Sequence, residues 1–264
     1  MRFSQRPARF HFIGFGVLFA AAIFHATLSP RSTLWGPVLV HGDRKGNLVA
    51  VTFDDGPNEP YTSQILDILK KRGVKATFFV IGANAWTYPN DVRRIVAEGH
   101  EIGNHTFSHP YMIKESGVTM LSQIEEGNRA IEEIAGVAPH WFRPPHGFRD
   151  PRLFPKTKRL GLNVVEWSNM PRDWTRPGTD VIVKRTLKEL KPGDIILLHD
   201  GANTFHGGDR SQTVAALPRI LDAIEARGLK PVTLTQLVDS PGPKGYRNYV
   251  DDRLPADPPD GEEK

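Results

Sequence analysis

The chain has 264 residues, and its 39% hydrophobic and 24% charged residues are the proportions of a folded globular protein. It contains no cysteine, which excludes disulfides, thiolate metal sites, cysteine nucleophiles and lipid attachment through cysteine. Any bound metal ion must therefore be held by His, Asp or Glu. The length fits one domain, because α/β barrels of about this size commonly form a single domain.

The net charge of +4 is unevenly distributed along the chain. Residues 1–46 carry six basic residues against one acidic residue, whereas residues 47–240 carry 24 against 23 and residues 241–264 carry four against six. A nucleic-acid-binding domain would concentrate Lys and Arg on the folded body, together with aromatic residues for stacking. The nearly neutral central part therefore predicts no nucleic-acid partner.

The N-terminus has the pattern of an export signal. Arg2, Arg6 and Arg9 precede the apolar run Phe12–Phe24. This run is shorter than the roughly 20 residues that a bilayer-spanning helix needs. We therefore interpret residues 1–46 as an export signal or N-terminal membrane anchor plus a linker, and the sequence does not decide whether this segment is cleaved. Either case places the protein in the periplasm, outside the cell, or on a membrane facing away from the cytoplasm.

The C-terminal residues 239–264 are predicted to form a disordered, acidic, proline-rich tail. Residues 241–264 contain five Pro and six acidic residues and few apolar ones, a composition that does not support a packed core. The single catalytic domain is therefore expected to span residues 47–238. The sequence does not determine the oligomeric state.

Between these ends, short apolar runs alternate with longer amphipathic stretches. Seven runs are predicted strands: Leu48–Phe53, Ala76–Ile81, His100–Asn104, Trp141–Arg143, Asn163–Ser168, Asp194–His199 and Pro231–Leu234. Six stretches are predicted helices: Tyr61–Arg72, Asp91–Glu98, Met120–Ala135, Pro151–Leu160, Val181–Leu190 and Val214–Arg227. Five glycines stand where helices should end: Gly73, Gly99, Gly136, Gly161 and Gly228. Strict alternation predicts a parallel α/β architecture and favours a barrel over an open doubly wound sheet, although periodicity cannot show closure.

Two adjacent carboxylates end the first predicted strand. Asp54 and Asp55 are followed by Gly56 and Pro57, so that the chain turns directly after the acids. The sequence Asp-Gly-Pro also forms ordinary solvated turns, and this motif alone does not decide between a turn and a functional site.

Two histidines follow the third predicted strand with the spacing of metal ligands. His105 and His109 are separated by four positions, which would place both imidazoles on one face of a helical turn. They lie in a polar segment that lacks the Glu of the usual zinc protease motif, so a general base must come from elsewhere. Asp54 or Asp55 can supply the oxygen ligand.

Unusual residues also end the fourth, fifth and sixth predicted strands. Arg143 is followed by two prolines that stiffen the turn, Asp173 and Trp174 follow the fifth strand, and His199 is the last residue of the sixth. Each could be a structural residue on its own. In α/β barrels, however, catalytic residues collect at the C-terminal ends of several strands. Their shared position therefore predicts one functional rim.

In order along the chain, these residues resemble the five motifs of the polysaccharide deacetylases, the NodB-homology or carbohydrate esterase family 4 domain. The matching segments are Thr52–Pro57, His105–His109, Arg143–Gly147, Asp173–Trp174 and Leu197–His199. The resemblance covers about residues 47–238. It implies a distorted (β/α)7 barrel, a divalent metal ion, and hydrolysis of acetyl groups from N-acetylglucosamine polymers or, in some members, from O-acetylated xylan.

The resemblance also implies roles for individual residues. The metal ligands would be Asp55, His105 and His109, with Zn2+ the expected ion and Co2+ or another divalent ion an alternative. The catalytic residues would be Asp54 as general base, His199 as general acid, Arg143 as the residue that orients the base, and Asp173 as the partner of His199. The substrate-binding residues would be Pro145, His146, Trp174 and Leu197, with a backbone N–H near His146 helping to hold the oxyanion.

Two positions depart from the family pattern. His146 stands where the family often has Tyr, which affects the oxyanion-side turn and the substrate contacts. Met170 stands where a second Asp often precedes the Asp-Trp pair, which changes how the region around His199 is braced. Neither departure removes a predicted metal ligand.

These observations predict a metal-dependent N-deacetylase whose partner is a glycan containing N-acetylglucosamine, either peptidoglycan or a chitin-like oligomer. The alternatives are an O-acetyl esterase acting on acetylated xylan and a noncatalytic glycan-binding module. Substrate choice is expected to depend on rim loops, particularly Gly201–Gln212 with Phe205 and His206, which the sequence does not decode.

Overall fold

The computed structural model describes residues 20–202 and 208–239, and its centre is a parallel sheet of seven strands. The strands are β1 (Leu48–Asp54), β2 (Thr77–Val80), β3 (Glu101–Asn104), β4 (Trp141–Phe142), β5 (Asn163–Val164), β6 (Ile195–His199) and β7 (Lys230–Val232). Each lies within a predicted strand or within one residue of it. The predicted final strand was too long at its end, because Leu234 begins a helix.

The strands follow the order β5-β4-β3-β2-β1-β6, and β7 pairs with the first residues of β1. Beyond β5 the chain continues toward β6, where Asn169 forms a parallel bridge with Ile196. Leu39 bridges to Val165 at the same open edge. The sheet therefore curls into a distorted (β/α)7 barrel, as predicted, and not into an open doubly wound sheet.

The alternation of side chains along β1 separates the helix-facing layer from the barrel interior. Val49, Val51 and Phe53 belong to the hydrophobic cluster shared with the surrounding helices. Ala50 belongs to the cluster inside the barrel. Asp54 has the same parity as Ala50, and this alternation places its side chain at the inner mouth of the barrel.

The helices are Tyr61–Arg72, Gly82–Thr87, Pro89–Ala97, Gly117–Ala135, Leu153–Arg159, Thr179–Lys188, Ser211–Ala226 and Leu234–Asp239. Short 3-10 turns occupy Met112–Lys114, Pro145–Gly147 and Asp173–Thr175. The sequence analysis missed the helices Gly82–Thr87 and Leu234–Asp239, which have only six residues each. The five glycines predicted to end helices all have φ between 62° and 77°.

Residues 20–28 are helical and precede the barrel. Residues 1–19 of the predicted N-terminal segment 1–46, and residues 240–264 of the predicted tail 239–264, lie outside the described residues. Phe205 and His206 of the predicted rim loop also lie outside them. Within residues 20–202 and 208–239, no helix combines the length and hydrophobicity that a bilayer crossing requires. The predicted boundaries of the three regions stay predictions.

The helix Gly117–Ala135 contacts β3 closely through Asn104, whose side chain is fully buried. The Asn104 Nδ2 donates to the carbonyl of Ile124 at 2.8 Å, and its Oδ1 accepts from the N–H of Thr106 at 2.6 Å. A Cβ atom at Gly127 would lie 2.6 Å from the Asn104 Oδ1. Because the amide is bonded on both sides, it cannot easily move away.

We expect Gly127→Ala to lower the free energy of unfolding by up to about 2 kcal/mol. Helix propensity favours Ala by about 1 kcal/mol, but overpacking a buried contact costs about 1–3 kcal/mol. Gly117→Ala is the matched control, since the nearest atom to its new Cβ is the flexible Lys156 Nζ at 3.6 Å. Urea denaturation of both variants measures the difference, and equal stability would contradict the proposed contact.

Candidate active site

A cleft of about 650 Å3 opens where the strands end, at the mouth of the barrel. Its lining includes Asp54, Asp55, His105, His109 and His199, which come from three different strand ends. The structure thus brings together residues that are up to 145 positions apart. Their shared position at the rim follows from the parallel strands, whose C-terminal ends all face the same side.

Asp55 adopts a left-handed backbone conformation directly after β1, with φ of 73°. Asp tolerates this conformation better than most residues. The Asn84 Nδ2 donates to the Asp55 carbonyl at 2.8 Å and holds the turn. Asp54 and Asp55 therefore both face the cleft, although they are adjacent in sequence.

The two histidines converge through a nonhelical turn, so the predicted helical turn is wrong. His105 continues β3, since its N–H donates to the Val80 carbonyl at 2.9 Å. Thr106 and His109 then adopt left-handed conformations, with φ of 68° and 59°. The Thr106 Oγ1 accepts from the N–H of His109 at 3.0 Å. This side-chain bond, and not a helical repeat, places the second imidazole beside the first.

Left-handed backbone is concentrated around the cleft. In the described residues, the positive φ angles outside glycine belong to Asp55, Thr106, His109, His146, Arg172 and Arg176. Such conformations cost of the order of 1–3 kcal/mol each and persist only where surrounding contacts impose them. Their clustering is typical of a site whose side chains are held in fixed directions.

Asp55, His105 and His109 present one ligand atom each within 4.8 Å of one another and could hold a metal ion. The Asp55 Oδ1 lies 3.4 Å from the His105 Nε2 and 3.2 Å from the His109 Nε2. Ligand atoms of a tetrahedral zinc site, with bonds of about 2.0–2.1 Å, lie about 3.3–3.4 Å apart. The Asp55 Oδ1 has no hydrogen-bond donor among the described residues. The three side chains therefore fit a divalent ion.

The orientation of the His105 ring is fixed by a hydrogen bond on the side that faces away from Asp55. Its Nδ1 lies 2.6 Å from the carbonyl oxygen of Arg143, which can only accept a hydrogen bond. Nδ1 therefore carries the proton, and Nε2 presents its lone pair toward Asp55.

Arg143 is fully buried behind Asp54 and does not line the cleft. Its guanidinium donates to the Asp54 Oδ1 at 2.6 Å, to the Thr52 Oγ1 at 2.8 Å and to the Glu166 carbonyl at 3.1 Å. It also lies 4.0 Å from the centre of the Phe79 ring. Asp54 consequently has one oxygen engaged with a cation, while its Oδ2 is directed toward the histidines, 3.8 Å from the His105 Nε2.

Charge interactions separate the pKa values of Asp55 and His199. Burial raises the pKa of Asp55, but the neighbouring His105 and His109 side chains outweigh burial and hold the pKa well below its usual range. Burial lowers the pKa of His199, but Asp173 outweighs burial and raises the pKa to about 9. At neutral pH the first is therefore a carboxylate and the second an imidazolium.

Asp173 holds His199 at two points. Its Oδ1 lies 2.8 Å from the His199 Nδ1, and its Oδ2 accepts from the backbone N–H of the same residue at 2.8 Å. Thr213 donates to that Oδ2 at 2.8 Å. The ring nitrogen that remains for the cleft is Nε2. The departure at Met170 therefore does not leave Asp173 unsupported, because Thr213 holds it by this hydrogen bond.

The predicted substrate-binding residues occupy different environments. Leu197 and Trp174 line the cleft, and Trp174 meets the His199 ring edge-to-face with centroids 5.0 Å apart. His146 also lines the cleft, and its ring stacks on the exposed ring of Tyr111 with centroids 3.9 Å apart. Pro145 is buried in the turn below and does not line the cleft.

Sequence analysis missed two buried acids near the rim. The Glu166 Oε1 accepts from the Arg149 guanidinium at 2.6 Å, and burial raises the pKa of this carboxyl to about 7 although Arg149 lowers it. The Asp200 Oδ2 accepts from the Thr62 hydroxyl at 2.7 Å, and burial likewise raises its pKa to about 7. Asp200 directly follows the predicted sixth strand, so the rule that located His199 could have found it, whereas Glu166 lay inside the predicted strand Asn163–Ser168, which the structure ends at Val164.

Together, the fold and the clustered Asp and His side chains define a barrel protein with a candidate metal centre at its C-terminal rim. Residues 41–165 match the family model described as polysaccharide deacetylase. A peptidoglycan-N-acetylglucosamine deacetylase from Bacillus cereus is 42% identical over 193 residues, which cover 72% of this chain and 88% of that protein. A chitooligosaccharide deacetylase from Sinorhizobium fredii is 45% identical over 187 residues, which cover 68% of this chain and 86% of that protein.

Solved structures show the same relationship. The chain is similar to a peptidoglycan N-acetylglucosamine deacetylase in complex with 4-naphthalen-1-yl-N-oxidanyl-benzamide, with a TM-score of 0.71 and 37% identity. The match covers 76% of this chain and 92% of that chain. The chain therefore belongs to the polysaccharide deacetylase family, which confirms the resemblance drawn from the five motifs. The roles of the individual residues stay predictions.

We expect Asp173→Asn to lower the pKa of His199 from about 9 toward its ordinary value of about 6.5, because burial is then opposed only by the more weakly acting Asp54 and Asp55. NMR titration of the imidazole in the metal-free chain measures this shift. Since the folded pKa exceeds the unfolded one, protonation stabilises the wild-type fold below pH 6.5, and this contribution is lost as the pH rises to about 9. An unchanged pKa in the variant would contradict the assigned pairing.

Proposed function

We propose that this chain is a metal-dependent N-deacetylase that removes acetyl groups from a glycan containing N-acetylglucosamine. The proposal depends chiefly on one observation: the Asp55-His105-His109 cluster shares one cleft with two candidate proton-transfer groups. Asp54 is held by Arg143, and His199 is held by Asp173.

The metal ligands in this proposal are Asp55, His105 and His109, with Zn2+ as the preferred ion and Co2+ or another divalent ion as an alternative. Three protein ligands leave coordination positions open. When bound there, such an ion lowers the pKa of a water molecule and polarises an acetyl carbonyl.

Asp54 is proposed as the general base. Its Oδ1 is engaged by Arg143, so Oδ2 is the oxygen that would accept the proton from the attacking water. The guanidinium fixes the direction of the carboxylate and compensates its charge in a buried site. Arg143 acts through Asp54 and is a positioning residue, because it does not line the cleft.

His199 is proposed as the general acid. Its pKa of about 9 keeps the ring protonated at neutral pH, so Nε2–H can donate to the nitrogen of the departing amine. An amine leaves poorly unless it is protonated, whereas an alcohol leaves more easily. A protonated His199 in the cleft therefore meets this requirement of amide hydrolysis.

The turn Pro145–Gly147 is proposed to supply an oxyanion donor. Pro145 has no N–H, and the N–H of Gly147 donates to the Pro144 carbonyl at 3.0 Å. The N–H of His146 is therefore the donor of this turn that we assign to the developing negative charge. Leu197 and Trp174 would enclose the acetyl methyl group.

The glycan class is proposed from the relatives. Those described above are named for peptidoglycan N-acetylglucosamine and for chitooligosaccharides. Peptidoglycan is a cell-wall polymer outside the cytoplasm, which agrees with the proposed export segment in residues 1–46. The near-neutral central part of the chain favours a glycan over a nucleic acid as partner.

We expect Asp54→Ala and His199→Ala to reduce acetate release at least about 100-fold, because each removes a proton-transfer group. Both variants should retain metal, whereas His105→Ala should lose metal as well as activity. Metal content by mass spectrometry and acetate release by an enzymatic assay separate the two effects. His140→Ala, on an exposed side chain outside the cleft, is the control. Wild-type activity in the Asp54 variant would refute the assignment of the base.

The full chain loaded with zinc should release acetate from chitooligomers or peptidoglycan and not from acetylated xylan when the three are assayed in parallel. Release only from xylan would instead establish an O-acetyl esterase. Release from none, with binding to a glycan retained, would establish a noncatalytic binding module.

A further inference from the structure

Residues 27–32, which we call the strap, lie before the barrel and yet form part of the cleft. Leu28 and Pro30 line the cleft together with Asp54 and His199. Both strap side chains are partly buried. The sequence analysis assigned these positions to a leader or linker, and no motif includes them.

The strap is fastened to the barrel by Arg149, whose side chain is buried. The Arg149 guanidinium donates to the carbonyls of Ser29 at 2.7 Å, Ser32 at 3.0 Å and Pro30 at 3.3 Å. The backbone N–H of Arg149 donates to the Thr27 carbonyl at 3.1 Å. Carbonyls along almost the whole strap are therefore held by one residue.

The opposite side of the Arg149 guanidinium contacts the barrel. It donates to the Glu166 Oε1 at 2.6 Å and to the Gly147 carbonyl at 3.1 Å. Neither member of the pair Arg149–Glu166 is exposed, and removing one partner of such a buried pair leaves an uncompensated charge. Gly147 follows His146 directly, so Arg149 ties the strap to the turn that lines the catalytic cleft.

The geometry points to the strap as a specificity wall for the glycan, with Leu28 and Pro30 contacting the sugar unit next to the one that carries the reacting acetyl group. This inference rests on the proposed function. Leu28 and Pro30 offer apolar side chains without hydrogen-bonding groups, which suit the C–H face of a pyranose ring. The cleft of about 650 Å3 is larger than one acetylated sugar requires. Arg149 acts as the positioning residue of this wall.

Contacts of this kind stabilise the bound substrate and the transition state equally, so their loss raises KM and leaves kcat unchanged. In the full, zinc-loaded chain, we expect Leu28→Ala to raise KM and Kd for tetra-N-acetylchitotetraose about fivefold, with kcat within about twofold of wild type. Leu34→Ala is the matched control, because Leu34 is 62% exposed and does not line the cleft.

Arg149→Lys tests whether the hydrogen bonds from Arg149 hold the strap in place. Lysine retains the charge, but its single ammonium group cannot reproduce the fork that reaches three carbonyls and a carboxylate. We expect its KM to rise as in the Leu28 variant, with kcat and zinc content retained. A loss of zinc or a fall in kcat at unchanged KM would overturn the positioning role of Arg149.

Calorimetric binding of the tetramer separates this inference from the proposed function, because binding does not require turnover. Weaker binding in the Leu28 variant than in the Leu34 control supports the specificity wall, even if wild type releases no acetate and the proposed function fails. Equal Kd and KM in the two variants would overturn the specificity wall, even if wild type releases acetate readily.

Discussion

The ion pair between Arg143 and Asp54 is the constraint on which the rest of the site depends. Arg143 is fully buried, and a buried guanidinium is tolerated only where acceptors surround it. Its acceptors are an inward-facing pair on β1, Thr52 and Asp54, and the Glu166 carbonyl beyond β5. Its own carbonyl also orients His105. One residue at the end of β4 therefore sets the direction of both the proposed base and a proposed metal ligand.

The rim combines this polar core with backbone strain. Asp55, His109 and His146 all adopt left-handed conformations, and hydrogen bonds hold the first two in place. The barrel supplies the rigidity that makes this possible, because β1 is paired on both edges by other strands. The favourable packing of the strands thus offsets the cost of the strained backbone at the rim, where side chains from several strands must face the same cleft.

Opposite electrostatic environments give neighbouring groups opposite protonation states. The neighbouring His105 and His109 side chains lower the pKa of Asp55, while Asp173 raises the pKa of His199 to about 9. Hydrolysis of an amide requires a water-activating side and a proton-donating side at the same pH. The described cleft places these two sides within one pocket, which is the physical basis for the proposed chemistry.

The sequence by itself determined the strand-helix alternation, the glycines that end helices, the five motifs and hence the family. These are local patterns, because strand ends and helix ends leave signals within a few residues. It predicted a helical turn for His105–His109, and only the structure showed that side-chain bonds from Asn104 and Thr106 form a left-handed turn instead. Curling of the sheet and the approach of Leu28 to the cleft were likewise decided by tertiary structure. The contacts that fix the strap join Arg149 to residues nearly 120 positions away, and no local pattern encodes a contact across such a separation.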